Sequence, residues 1–167
     1  MSSTGSRQYD ATTDAAASDI TLSGLQGGET LTLGGSGSIS SANVASNYAV
    51  TLGSLALSNG TGTASNYTLS GGTHLFTINQ KVLNYSGSRQ YDGTNFVNSS
   101  DITLSNLQGG ETLSLSGTGS VISANVTSGY TGQVGTLALS DNTGLASNYT
   151  LIGGTHTFDI NEKIINL

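Results

Sequence analysis

The sequence feature that most constrains the fold is an internal repeat. The hexapeptide GSRQYD stands at residues 5–10 and returns letter for letter at 87–92, which is 82 residues later. Aligning 5–85 with 87–167 needs no gap and gives 52 identical positions out of 81. This period is too long for a solenoid repeat of about 20–50 residues and suits a small independent domain. The sequence therefore predicts two tandem domains, residues 1–84 and 85–167.

Within each copy the apolar residues alternate with polar ones, which is typical of half-buried β-strands. Turn signals such as QGGE and SGGT separate the apolar runs. The apolar pairs of the first copy are Ile20/Leu22, Leu31/Leu33, Val50/Leu52, Leu55/Leu57, Tyr67/Leu69 and Phe76/Ile78. We expect an all-β fold with two tandem small antiparallel β-sandwich domains of the immunoglobulin-like kind. Small β-grasp-like sheet domains are the alternative, against which the weak helix signal counts.

A change of register is also visible in the sequence. Val50 and Leu52 occupy even positions, whereas Leu55 and Leu57 occupy odd ones. A straight strand cannot bury both pairs on one face, because its side chains alternate between faces. Gly53 lies between the pairs, and we expect a bulge or bend there.

Charge and cysteine content exclude several classes of function. The chain has only four Lys and Arg residues and a net charge of −6, whereas nucleic-acid binders carry clustered cations. The same shortage excludes a polybasic membrane contact, and no apolar run reaches the roughly 20 residues of a spanning helix. Cysteine is absent, so disulfides and cysteine-based metal sites are excluded. We expect residues 1–4 to be an added expression start and the chain to be a segment of a longer protein.

Both arginines of the chain, Arg7 and Arg89, lie in the repeated hexapeptide. As a binding site, the hexapeptide would offer a stacking tyrosine and a donating arginine to a sugar or peptide. As a structural corner, its tyrosine would cover the core, its aspartate would cap the next turn and its arginine would pair nearby. The candidate binding residues are Arg7, Tyr9, Asp10, Arg89, Tyr91, Asp92 and Tyr130, and the structural interpretation is favoured for the hexapeptide.

Calcium is the one cofactor with any support in the sequence. The candidate ligands are acids kept in both copies, Asp19 and Glu29 with Asp101 and Glu111, because calcium prefers several oxygen ligands. No Asp-x-Asp-x-Asp spacing accompanies them, so we expect no metal. His74 and His156 follow a Gly-Gly turn without metal-ligating neighbours and are predicted to be exposed or on an edge strand.

An ordered set of landmarks in the second copy resembles a known family. The landmarks are Tyr-Asp-Gly at 91–93, Gly-Gly-Glu at 109–111, Ser-Ala-Asn-Val at 123–126, Leu-Ala-Leu-Ser at 137–140 and ASNYTL at 146–151. The set resembles the YDG-type repeats of large secreted bacterial adhesins, the filamentous-haemagglutinin-like proteins of two-partner secretion. The first copy departs from it at Ala11, where the family pattern has glycine.

The resemblance implies a structural stalk that spaces an adhesive region from the cell. It also implies an extracellular or cell-surface location and no enzymatic activity. The expected partners are neighbouring repeats of the same chain, and neither nucleic acid nor membrane insertion is expected. The alternative is a ligand-binding module of the same adhesin that recognises host or matrix glycans or proteins.

Overall fold

The computed structural model describes residues 1–166, which divide into two compact units. The first unit is Met1–Gln80 and the second begins at Lys81, a few residues before the boundary predicted at 84/85. Strands and short 3-10 turns are the only regular elements of these residues, so the all-β prediction is confirmed. None of the helical turns in this part of the chain has the length and apolar character needed to cross a membrane.

The first unit has eight strands and two 3-10 turns. The strands are β1 (Ser2–Gln8), β2 (Asp14–Ala16), β3 (Ile20–Ser23), β4 (Leu31–Gly34), β5 (Ser36–Ser38), β6 (Ala45–Ala49), β7 (Ala56–Asn59) and β8 (His74–Asn79). The turns span Ala17–Asp19 and Ala64–Asn66. Residues 2–4 form part of β1, so they contribute to the fold of this unit.

The second unit repeats this order and adds two short strands. Its strands are β9 (Lys81–Val82), β10 (Asn84–Gln90), β11 (Phe96–Asn98), β12 (Ile102–Ser105), β13 (Leu113–Ser116), β14 (Thr118–Ser120), β15 (Thr127–Thr131), β16 (Ala138–Asp141), β17 (Tyr149–Thr150) and β18 (His156–Asn161). The 3-10 turns span Ser99–Asp101 and Ala146–Asn148.

Each unit contains one mixed four-stranded sheet, with the order β3-β1-β8-β6 in the first unit and β12-β10-β18-β15 in the second. The central pairs, β1 with β8 and β10 with β18, are parallel. The expectation of purely antiparallel sheets is therefore wrong. A parallel pair needs a long crossover rather than a tight hairpin, and here most of the unit separates Gln8 from His74. No local turn signal could reveal such a pairing.

Two-stranded pairs accompany the main sheet, and one of them shares its core. In the second unit Val97 of β11 and Val121, just after β14, pack with Phe158 and Ile160 of β18. All four side chains are almost completely buried. The β11–β14 pair therefore forms a second layer against the main sheet of this unit, and the core between the two layers lies on β18.

The register change predicted near Gly53 takes the form of a turn. Gly53 has a positive φ of 54°, and the Leu55 amide donates to the Leu52 carbonyl over 2.9 Å. The predicted strand at Val50 and Leu52 is reduced to one isolated bridge between Thr51 and Ser38. Glycine adopts a positive φ without steric cost. The turn at Gly53 can therefore redirect the chain between the Thr51 bridge and β7.

Candidate functional site

The alternation of β1 and β10 decides where the arginines point. On β1 the residues Ser3, Gly5 and Arg7 are less exposed than Ser6 and the other residues between them. The Arg7 guanidinium lies over the ring of Phe76 on β8, with 5.4 Å from Cζ to the ring centroid, a distance that allows a cation–π attraction. Its side chain is only 11% exposed. The arginine is thus directed into its own unit.

The side-chain hydrogen bonds of Arg7 run to the residues that follow β1, from Asp10 to Asp14, the first residue of β2. Its Nε and one terminal nitrogen donate to the two carboxylate oxygens of Asp10, each over 2.9 Å. The terminal nitrogens also donate to the carbonyl oxygens of Thr12, over 2.6 Å, and of Asp14. A bidentate arginine–carboxylate pair is among the strongest protein hydrogen-bond arrangements. It holds the chain in the corner that leads from β1 to β2.

Asp10 organises the turn inside this corner. One carboxylate oxygen accepts hydrogen bonds from the amide and the hydroxyl of Thr12, over 2.9 and 2.8 Å. Burial raises the pKa of Asp10, but the hydrogen bonds from Arg7 and Thr12 outweigh it and hold that pKa below the ordinary 3.8. Ala11, the residue after Asp10, adopts a positive φ of 64°, a region that favours glycine.

The second unit builds the same corner around Arg89. The guanidinium pairs with the Asp92 carboxylate and donates to the carbonyls of Phe96, over 3.2 Å, and Thr94, over 2.5 Å. The Arg89 side chain is 7% exposed. Hydrogen bonds from the amide and hydroxyl of Thr94, together with the Arg89 charge, hold the pKa of Asp92 below its ordinary value. Gly93 takes the positive φ that Ala11 takes in the first unit.

The three tyrosines among the predicted binding residues have different surroundings. Tyr9 is buried, whereas its equivalent Tyr91 is 41% exposed. The Tyr130 ring packs against the core of the second unit, and its hydroxyl donates to the Asn125 carbonyl over 3.0 Å. Of these side chains, Tyr91 offers the largest accessible ring.

The two glutamates predicted as weak calcium ligands hold tyrosine hydroxyls instead. Tyr67 donates to the Glu29 carboxylate, and Tyr149 donates to that of Glu111. The hydrogen bond that the Tyr67 hydroxyl donates to the Glu29 carboxylate raises the pKa of Tyr67 above 10.0, because ionisation would remove the donated proton. The same hydroxyls accept hydrogen bonds from the amides of Gln26 and Gln108, each over 3.1 Å.

The two aspartates of the calcium prediction lie in the 3-10 turns that precede β3 and β12. Asp19 accepts a long hydrogen bond from Ser18, and Asp101 accepts from Ser100, each over 3.4 Å. Within residues 1–166 no three His, Asp or Glu side chains come close enough together to hold a metal ion. Asp19 and Glu29 therefore serve separate local structures.

The prediction that the histidines are exposed or on edge strands is wrong. His74 and His156 begin β8 and β18, which are inner strands of the main sheets, and both are buried. Nε2 of each ring is 2.8 Å from a carbonyl oxygen, that of Leu69 or Leu151. Nδ1 of His74 is 2.8 Å from the Ser3 hydroxyl, whereas the His156 ring stacks on Tyr85 with 4.2 Å between centroids. Parallel pairing with β1 or β10 accounts for the burial.

Sequence reasoning missed two kinds of residue at the corner. Thr12 and Thr94 complete the turn, and their signal was a threonine kept two residues after the aspartate in both copies. The second kind is Gly5, a residue of the hexapeptide. A Cβ at Gly5 would lie 2.5 Å from the Phe76 ring, so the glycine makes room for the aromatic residue that Arg7 covers.

Comparison with known proteins identifies one family. A family model described as YDG domain matches residues 2–74 and again residues 77–157. No curated protein and no solved structure matches the chain. The two matched ranges span nearly the whole chain and follow its duplication.

Proposed function

The chain belongs to the YDG domain family, and from that premise we propose that it is a structural stalk segment of a bacterial cell-surface adhesin. In this proposal the two units space an adhesive region from the cell, and they act outside the cell without catalysing a reaction. Their partners are neighbouring repeats of the same chain. The proposal takes the adhesin context from the resemblance of the repeats and their order.

The observation that carries the proposal is the use of the arginine corners. Arg7 and Arg89 are the only arginines of the sequence. The guanidinium groups of both donate hydrogen bonds to aspartate and carbonyl oxygens of their own unit. An arginine bound in this way holds a strand connection and is not available to grip a ligand. The same arginine corner is present in both copies, which supports a structural role that every unit of a stalk would share.

Surface display with a tip epitope tests the proposal. The chain is placed between a membrane anchor and the epitope, and a Gly/Ser linker with the same number of residues is the matched control, because such a linker is a flexible coil. We expect antibody-coated beads to capture more cells with the chain than with the linker. Equal capture by both would contradict a stalk role.

One observation favours the alternative, a ligand-binding module. Phe96 lies beside Ser120 in the β11–β14 pair, and Ile122 follows two residues later on the same face. Both side chains are more than half exposed, whereas the first unit has Asp14 and Ser40 at these positions. An aromatic and aliphatic pair restricted to one unit fits contact with a glycan or a host receptor.

The alternative has its own test on glycan arrays and host-receptor arrays. The double variant Phe96→Asp with Ile122→Ser gives the second unit the residues of the first. Tyr130→Ala examines the remaining candidate aromatic residue of that unit. Binding by the unmodified chain that either variant abolishes would favour the module, and absence of binding on every array would favour the stalk.

The finer architecture is part of the proposal as well. An immunoglobulin-like sandwich receives support from the two layers that meet at Val97 and Phe158. The parallel pairing of β1 with β8 and of β10 with β18 at the centre of each main sheet fits the β-grasp-like alternative better. We propose the β-grasp-like arrangement without its usual helix.

A further inference from the structure

A short parallel strand completes one edge of the second unit. Lys81 lies opposite Tyr149, and Val82 lies opposite Thr150. The Leu83 amide donates to the Thr150 carbonyl over 2.8 Å, and the Leu83 side chain is fully buried. The sequence Lys-Val-Leu thus occupies an edge that the Asn-Tyr-Thr segment offers.

The first unit has the same edge, and there it is unpaired. Tyr67 and Thr68, the equivalents of Tyr149 and Thr150, belong to no strand. Thr68 is exposed, and its backbone has no hydrogen-bond partner among residues 1–166. Tyr67 is only half-buried, whereas Tyr149 is almost completely buried. An unpaired edge of this kind is a template for an added strand.

The residue that follows the edge-pairing strand has an equivalent position in both units. Met1 aligns with Leu83, and its carbonyl oxygen would lie 1.8 Å from a Cβ built on Gly72. The Leu83 carbonyl oxygen would lie 2.0 Å from a Cβ built on Gly154. The chain therefore runs along both units in the same way from this residue onward. An added strand fits the first unit when it continues directly into Met1.

The chain also contains a second segment whose sequence is similar to the Lys81–Val82 strand that pairs with Tyr149 and Thr150. Lys163–Ile164–Ile165 stands 82 residues after Lys81–Val82–Leu83. Its lysine is identical and its apolar positions are kept, yet Ile164 and Ile165 are largely exposed. Two exposed adjacent isoleucines on a short terminal segment match the residues that the second unit pairs and buries at its own edge.

We propose that the Tyr67–Thr68 edge is a strand-acceptor site whose occupant is the terminal Lys-Ile strand of another copy of this repeat. The recognition is β-augmentation, in which main-chain hydrogen bonds supply affinity and alternate side chains supply selectivity. Its biological role rests on the stalk proposal. Successive repeats would be joined by backbone pairing, which is stiffer than a flexible linker.

Amide exchange measured by NMR tests the acceptor site. One variant of the full chain carries Asn-Glu-Lys-Ile, the sequence of 161–164, directly before Met1, and the control carries Gly-Ser-Gly-Ser. The N–H and C=O of a strand residue point to the same neighbour, so the Thr68 amide reports the pairing. We expect the first extension to slow exchange at Thr68 by about tenfold or more relative to the control. Thr150, already paired in both proteins, is the internal reference.

Equal exchange at Thr68 in the two proteins, with Thr150 protected in both, would overturn the proposal. A third extension, Asn-Glu-Lys-Asp, separates pairing by sequence from pairing by proximity, since its final carboxylate replaces the apolar residue. We expect this extension to protect Thr68 less than the Lys-Ile extension, and equal protection would contradict the assigned occupant. Exchange and bead capture are independent readouts, so failure of the acceptor site can be distinguished from failure of the stalk role.

Discussion

The Tyr149 hydroxyl donates a hydrogen bond to the carboxylate of Glu111, which joins the turn after β12 to the segment that becomes β17. The same hydroxyl accepts a hydrogen bond from the Gln108 amide. The two residues are 38 positions apart, so the contact closes the long loop that contains the β13–β16 pair. The equivalent contact joins Tyr67 to Glu29 in the first unit.

Removing this hydroxyl is expected to destabilise the second unit. Tyr149→Phe leaves the buried ring in place but removes the hydroxyl that donates to the Glu111 carboxylate and accepts from the Gln108 amide. Loss of a hydrogen bond to a charged group costs about 1.5–3 kcal/mol, which a denaturant titration of the full chain can measure. Tyr130→Phe is the matched control, because the Tyr130 hydroxyl contacts a single neutral carbonyl. A smaller effect for Tyr149→Phe than for the control would contradict the assigned role.

Acid is expected to weaken the corner of the first unit. The pKa of Asp10 lies below 3.8 in the folded unit, so the unfolded chain binds the proton more readily. The contribution of Asp10 is complete above its unfolded pKa and is lost as the pH falls through the folded one. Denaturant titrations at pH 7 and pH 3 should show a smaller drop for Asp10→Asn than for the unmodified chain.

Asp14→Asn is the control for this pH dependence. It also removes one acid, but the corner uses only the backbone carbonyl of Asp14. This variant should keep the larger drop between the two pH values. An Asp10→Asn variant with the same pH dependence as Asp14→Asn would show that the Arg7–Asp10 pair adds nothing to stability.

Gly5→Ala is expected to be strongly destabilising, although alanine is a small residue. Its Cβ would lie 2.5 Å from the Phe76 ring and 2.9 Å from the Asp19 carbonyl oxygen. Overpacking of this kind costs about 1–3 kcal/mol. Gly34→Ala is the control, because no atom comes within 4 Å of its Cβ. Thermal unfolding of both variants should separate them, and a similar melting temperature for the two would refute the close packing of Phe76 on β1.

Arg89 is expected to contribute to stability through the corner of the second unit. Arg89→Met keeps the aliphatic stem but removes the ion pair with Asp92 and the donors to Thr94 and Phe96. We expect a loss of about 2 kcal/mol in the free energy of unfolding. Lys163→Met, which removes an exposed cation, should change it by less than about 0.5 kcal/mol. Unchanged stability of Arg89→Met, with ligand binding lost, would instead support the binding interpretation of the hexapeptide.

Strands with aliphatic residues on one face could be predicted from the sequence. Ile20 and Leu22 lie in β3, Leu31 and Leu33 in β4, and Phe76 in β8, as their alternation indicated. Strand β1, which lies between β3 and β8 in the main sheet, was not predicted. The less exposed positions of β1 are Ser2, Ser3, Gly5 and Arg7, so its pattern carries no aliphatic period.

The corner was predictable in kind but not in its contacts. An aspartate that caps a turn and an arginine that pairs nearby follow from residue chemistry, and Asp10 and Arg7 play these parts. The carbonyl partners Thr12 and Asp14 depend on where β2 begins. The burial of His74 depends on its parallel neighbour β1, and its flanking residues give no sign of it.

The sequence by itself determined the duplication, the all-β class and the local turns, because these depend on spacing and on residues close together in the chain. Only the tertiary structure decided the parallel pairing of β1 with β8, the burial of the histidines and the unpaired edge at Thr68. Each of these depends on backbone hydrogen bonds or their absence between segments distant in the chain. Backbone groups are the same in every residue except proline, so the sequence carries no local record of which strands they join.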